Sequence, residues 1–225
     1  MLDSLNVGLI ADWALEEASG TRADSEPTAP AHNLADNNTV TSAVGVVGNC
    51  ALFVKANNES LTETDTADIS TGDIDFGLAG WVKLVTKTAS QSIIGHWGAS
   101  AGTRSWRFYY NSSNSRFEFH VSSDGSATAV TQVASTFGAP ATNVFYFFYV
   151  AHDSVNNTVN ISINNGTVDS TSYSSGSFNA TAEFQMGGFG SGGLWVDGYL
   201  DQVRFYKKVL TAAEVTRLYN GGTGM

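Results

Sequence analysis

The sequence predicts an all-β protein: a jelly-roll β-sandwich of two antiparallel sheets with one short C-terminal helix. Three observations lead there. Runs rich in aromatic and β-branched residues recur along the chain with Gly-, Ser- and Asn-rich turns between them, the pattern of a sandwich or barrel. Residues 144–153, VFYFFYVAHD, are apolar almost without interruption, as a strand covered on both faces would be. Only 211–222 has the marks of a helix. There Thr211 and Glu214 form a T-x-x-E capping box, Val215, Leu218 and Tyr219 share one face, and Gly221 and Gly222 end the run.

Composition narrows the class further. A chain of 225 residues suits one large β domain over 1–225, and no internal repeat or linker divides it. Apolar residues make up 42%, enough for a sizeable core, while charged residues make up only 14%, well under the usual quarter. The 11 basic and 21 acidic residues leave a net charge of −10, which excludes nucleic-acid binding by phosphate neutralisation. Cys50 is the lone cysteine, so no intrachain disulfide forms. No apolar stretch is long enough to cross a bilayer, so membrane insertion is not expected. The opening MLDSLNVG has neither a basic nor an apolar signal region. The expectation is an extracellular or virion-surface protein whose leader lies outside this sequence or which reaches its place by assembly.

In chain order, 8–15 (GLIADWAL) reads as the first strand and 16–24 as the turn after it. Residues 25–46 form a polar loop through Pro27, Pro30, His32 and Asn33, with a weak strand near 39–44. The run 48–54 is a strand that buries Cys50 as a small hydrophobe, and 59–76 reads as loop. Strands follow at 78–85, 92–97, 105–111 and 116–122, the last two joined as a hairpin by the turn-rich 111–115. After 144–153 come a strand and turn over 158–168, a short segment at 183–187, a glycine-rich loop and the closing strand 195–206. Period-2 alternation in that last strand sets Tyr199, Val203 and Phe205 on one face with Asp201 in the same row. A carboxylate on such a face needs a partner.

Several of these runs carry a resemblance. Gly198, Leu200-Asp201-Gln202-Val203-Arg204-Phe205-Tyr206, Leu210-Thr211, Glu214-Val215 and Leu218-Tyr219 resemble the closing strand and helix of the laminin-G-like domains of the concanavalin A-like lectin/glucanase superfamily. Trp13, Leu15, Glu17, Ser19, Gly20 and Asp24 match that family's first strand and turn; 48–54 and 78–85, with Trp81, match two further strands. In 144–153 Phe147 stands where the family has Trp, and 158–168 matches a strand and turn ending in Asn-Gly. The resemblance spans nearly the whole chain, in the family's order, and implies the same jelly roll.

It also frames the candidate sites. Glycan-cleaving relatives carry an E-x-D-x-x-E strand. The nearest string here is Glu63-Thr64-Asp65-Thr66-Ala67-Asp68, which ends in Asp and reads as a solvated loop, so no enzymatic activity is expected. Gly98 to Gly102 (G-x-S-x-G) and Gly188 to Gly193 (G-x-G-x-x-G) both run into strands, where nucleophile elbows and dinucleotide loops need helices. His32, His96, His120 and His152 lack metal-ligand spacing and read as surface or satisfied polar residues. Related modules hold one structural calcium between the first turn and the closing strand, which makes Asp201, Glu17 and Asp24 the candidate ligands; the alternative pairs Asp201 with an Arg or with backbone N–H groups. On the predicted hairpin, Arg107 and Tyr109 alternate away from Trp106, Phe108 and Tyr110, and Glu118 and His120 away from Phe117, Phe119 and Val121. That face is either a ligand-binding surface suited to sugar hydroxyls or an ordinary solvated sheet. The function expected is recognition or adhesion, a lectin-like module binding glycan or a protein surface. The alternative is a virion decoration or fibre component working through homo-oligomeric self-assembly.

Overall fold

The computed structural model describes residues 3–26, 30–189 and 193–225. The chain runs through β1 (Leu9–Trp13), β2 (Ala35–Asn37), β3 (Thr41–Val44), β4 (Asn49–Phe53), β5 (Ser60–Glu63), β6 (Phe76–Leu84), β7 (Gln91–Trp97) and β8 (Arg104–Asn111). It continues through β9 (Arg116–Val121), β10 (Val130–Val133), β11 (Phe145–Asp153), β12 (Thr158–Ile163), β13 (Asp169–Ser172), β14 (Phe184–Met186) and β15 (Gly198–Tyr206) to the helix α1 (Ala212–Tyr219). One sheet has eight strands in the order β13-β12-β11-β6-β15-β4-β3, with β1 also paired to β15. The other has seven, in the order β10-β9-β8-β7-β14-β5-β2. All pairings are antiparallel, which makes the expected jelly-roll sandwich.

The core lies between the sheets and is built of large aromatics. Phe108 stacks on Phe148 from the opposite sheet at 4.4 Å between ring centroids, and Trp106 on Phe205 at 6.0 Å. β11 is buried on both sides, as its sequence predicts. Phe148 and Val150 face this core, while Phe147, Tyr149 and Ala151 face outward into a second apolar cluster. There Leu5, Leu210, Val215 and Leu218 close over Trp81 and Tyr206. The capping box forms as expected: Thr211 Oγ1 accepts from Glu214 N at 3.3 Å, and Glu214 Oε2 accepts from Thr211 N at 2.9 Å. α1 therefore seals the outer side of the eight-stranded sheet.

Two differences from the sequence reading matter. β2, β5, β10 and β13 lie in stretches with no predicted strand, and 60–63 sits inside the predicted 59–76 loop. Each has three or four residues, too few to show alternation, and each is set in register by pairing with its neighbours in the sheet. The second difference is a bulge in β15, where Gln202 takes a left-handed φ of 49° and the register against β6 slips between Asp201 and Arg204. Leu200, Val203 and Phe205 consequently face the core, while Tyr199 and Asp201 point the other way. The period-2 reading that placed Tyr199 and Asp201 in the row of Val203 and Phe205 fails at the bulge, which sets both on the opposite face.

Candidate functional site

Among the described residues the α-helix packs on the eight-stranded sheet, and none covers the outer side of the seven-stranded one. One row of cross-strand partners runs over that side from edge to edge: Ala35, Thr62, Gln185, Gly95, Arg107, His120 and Thr131. Directly opposed residues share a face, so this whole row points away from the core. Tyr109 and Glu118 oppose one another in the next row. The structure thus brings Arg107, Tyr109, Glu118 and His120 together, as the alternation predicts.

Their exposure is not that of an open face. Tyr109, Glu118 and His120 are buried, and only Arg107 is half-exposed. The Arg107 guanidinium lies 4.2 Å from the Tyr109 ring centroid and 4.6 Å from that of Trp97, and it covers both. Tyr109 is therefore a support beneath Arg107, and its ring is not free to stack on a sugar. A Cβ at Gly95 would come within 2.8 Å of Arg107 Cβ, so the glycine makes the room in which this arginine sits. Arg107 Nε donates to His120 Nδ1 at 3.1 Å, which fixes the tautomer: Nδ1 carries the lone pair and Nε2–H donates to Glu118 Oε2 at 2.8 Å. Burial pushes the His120 pKa down, against the opposing pull of Glu118. Burial alone would raise Glu118, but hydrogen bonds from His120, Asn114 and Asn111 outweigh it and leave its pKa lowered. Burial also brings Arg107 down to about 10.

Beside this patch, on the same face, lies an open groove of about 320 Å³ lined by Asn37, Asn38, Asn58, Ser60, Thr62, Glu183, Gln185 and Trp195. Asn37 Nδ2 donates to Thr62 Oγ1 at 3.0 Å and Gln185 Nε2 to Glu183 Oε2 at 3.2 Å, while Gln185 Oε1 is buried with no hydrogen-bond partner among the described residues. Trp195 packs against Gly188, whose φ of 131° and bare Cα let the indole approach; a Cβ there would stand 2.7 Å from the ring. Sequence reasoning missed this groove because its lining comes from four stretches far apart in the chain. Trp195, an aromatic next to a glycine loop, was the one available signal. Pro27 and the Gly190, Ser191 and Gly192 part of that loop lie outside the described residues.

The calcium candidates do not converge. Asp201 is fully buried on the helix side of the eight-stranded sheet, where Oδ2 accepts from Val46 N at 2.7 Å and Val47 N at 3.1 Å. This is the backbone N–H alternative, not the metal one. Burial raises its pKa to about 6 despite those donors. Glu17 Oε1 accepts from Ala23 N at 2.7 Å, and Asp24 Oδ1 accepts from Asp12 N at 2.9 Å, both within the turn after β1. Among the described residues no group of three His, Cys, Asp or Glu could hold an ion. Each of the three carboxylates accepts from its own backbone N–H donors, while Asp201 Oδ1 and Glu17 Oε2 are buried with no hydrogen-bond partner among the described residues.

The acidic string is not a solvated loop either. Glu63 closes β5 opposite Phe184, which stacks on Trp13 in the core, so Glu63 points inward. Its Oε1 lies 2.7 Å from His32 Nδ1, and Asp65 Oδ1 lies 3.2 Å from His96 Nε2. The hydrogen bond to Glu63 raises the His32 pKa, whereas burial lowers that of His96. All four histidines are buried, and His32, His120 and His152 have hydrogen-bond partners, so of the two expectations the satisfied polar role holds and the surface position does not. These carboxylates thus face the interior, on the opposite side of the sheet from the groove.

Comparison with known proteins agrees with the geometry. A profile of the concanavalin A-like lectin/glucanases superfamily, in its laminin G branch, matches residues 55–216. A search of curated proteins returns no match. Among solved structures, the binding domain of Paraclostridial Mosquitocidal Protein 1 superposes with a TM-score of 0.77 at 14% identity, covering 97% of this chain and 53% of that one. Domain 4 of the extracellular arabinanase AbnA from Geobacillus stearothermophilus, in complex with arabinotriose, gives 0.63 at 18%, covering 96% and 98%. The receptor binding domain of botulinum neurotoxin mosaic serotype C/D gives 0.70 at 12%, covering 97% and 52%. The chain spans about half the length of the two toxin domains.

Proposed function

Because the chain belongs to the concanavalin A-like lectin/glucanase superfamily, we propose that it is a non-catalytic, lectin-like recognition module that binds saccharide on the outer face of its seven-stranded sheet. The observation that carries this reading is the groove at Gln185. Amides, hydroxyls and one carboxylate line it, a buried amide oxygen lacks a donor, and the Trp195 indole forms a wall. Sugar hydroxyls supply such donors and the apolar face of a pyranose packs on an indole; the volume is within the usual range for small-ligand clefts. The absence of enzymatic activity is part of the proposal and is supported by the inward direction of Glu63 and Asp65. The arabinotriose complex of the arabinanase domain and the binding roles of the two toxin domains support recognition as the use of the fold. The extracellular arabinanase likewise supports an extracellular place for this chain.

Self-assembly, as in a virion fibre, is favoured less. The exposed large hydrophobics, such as Val7, Val44, Val144, Val155 and Val168, are scattered along the chain, Val44 on β3 and the others in loops. A glycan array read with wild type and Trp195→Ala tests the proposal. Wild type is expected to retain a defined set of saccharides and the variant to lose it, with an unchanged melting temperature. Wild-type binding to no saccharide, together with a stable oligomer by light scattering, would replace it with the assembly reading.

A further inference from the structure

Arg107 and its neighbour Arg104 both lie against the Trp97 ring, and among the described residues neither forms an ion pair with a carboxylate. Arg104 spends all three of its nitrogens on carbonyls, those of Gly98, Ser126 and Ala99. Those bonds fix its position without cancelling its charge. Arg107 spends only Nε, on the neutral His120. Its Nη1 and Nη2 have no hydrogen-bond partner among the described residues, although the side chain is wedged between Trp97 and Tyr109. The nearest carboxylate on its strand pair, Glu118, is held away by accepting from His120, Asn111 and Asn114. A half-buried guanidinium clamped between two rings with no counter-charge is partly desolvated, and that cost falls when an anion arrives.

We infer that Arg107 is the anchor for a negatively charged group on the saccharide, so that the ligand is an acidic glycan. This deepens the saccharide reading given above and rests on it. The geometry selects an end-on fork. With Nε occupied and the aromatic rings fixing the guanidinium plane, the two Nη groups point as a parallel pair, which matches two oxygens of one carboxylate or sulfate. The Gln185–Gly95–Arg107 row then joins the neutral groove to the charged anchor, so one oligosaccharide can use both. Gly95, which carries no side chain, leaves no barrier between them.

Calorimetry with matched ligands tests the inference. The probes are trigalacturonate, its full methyl ester, lactose and lactose sulfate, titrated into wild type and Arg107→Gln at low and high salt. Wild type is expected to bind the acid or the sulfate about tenfold to a hundredfold tighter than the matching neutral sugar, with the preference shrinking in salt. Arg107→Gln should abolish that preference. The carboxylate and sulfate arms tell which oxyanion is taken. Equal wild-type affinity for acid and ester, and for lactose and its sulfate, would overturn the anchor while leaving the saccharide reading intact. Binding of none of the four, nor of any saccharide on the array, would overturn both. These wild-type comparisons decide the matter even if the variant fails to fold.

Discussion

The two sheets are of similar size, and their outer sides have opposite chemistry. On the eight-stranded sheet Trp81, Phe147 and Tyr149 lie outward beneath Leu210, Val215 and Leu218, and Asp201 is sealed under the 46–47 loop. On the seven-stranded sheet one outward row is Thr, Gln, Gly, Arg and His, and its half-exposed Arg107 retains two donors with no hydrogen-bond partner among the described residues. A jelly roll buries one face of each sheet by necessity. What it does with the two remaining faces decides which can meet a ligand. Here the helix takes one, and the other carries the polar groove.

The comparison can be broken most forcefully at the closed face. Trp81 is buried between the Phe147 and Tyr219 rings, so Trp81→Ala should cost about 3–5 kcal/mol, read as a drop in the urea midpoint. Saccharide affinity measured well below the transition should not change. A loss under ~1 kcal/mol would mean that the helix-covered side is not a second core.

Asp201 sharpens the contrast between a sealed charge and a free one. Its folded pKa of about 6 lies above the ordinary value, so the folded state binds the proton more tightly than the unfolded state. The stability cost is full above that pKa and fades as pH falls towards the ordinary carboxylate value near about 4. Relative to wild type, Asp201→Asn should accordingly be more favourable at about pH 8 than at about pH 4, by on the order of 3 kcal/mol. A flat difference across that window would remove the sealed-charge account. Loss of stability on adding a chelator to wild type, absent in the variant, would return the metal to consideration.

The smallest stability effect belongs to the open face. Gln185 lines the groove, and Gln185→Ala should shift stability by no more than ~0.5 kcal/mol. It should nonetheless weaken saccharide binding severalfold. A large stability loss with intact binding would make the amide a structural group.

These contrasts also mark what could be seen in the sequence. The doubly covered β11, the capping box and the orientation of Arg107, Tyr109, Glu118 and His120 were legible, because long periodic runs and short-range motifs report on local geometry. Asp201 was misplaced by a single left-handed residue, Gln202, which nothing nearby in the chain announces. The burial of His32, His96 and His152 and of Tyr109 depends on segments far away in sequence, as does the groove itself. Alternation states which way a side chain points; it cannot state what lies on top of it.

The turn after β1 has a consequence for how copies of this chain meet. A strand at the rim of a sheet offers unpaired N–H and C=O groups on which another molecule can add a strand. On β1, Asp24 Oδ1 and the Ser25 backbone and hydroxyl occupy those of Asp12. At the ends of both sheets β2, β3, β10 and β13 have only three or four residues each, and β13 is nearly all polar and exposed. Every rim is therefore either plugged or too brief to template growth. A concentrated solution of this β-rich chain should stay free of edge-to-edge fibrils, and the side chain that most directly plugs the β1 rim is Asp24.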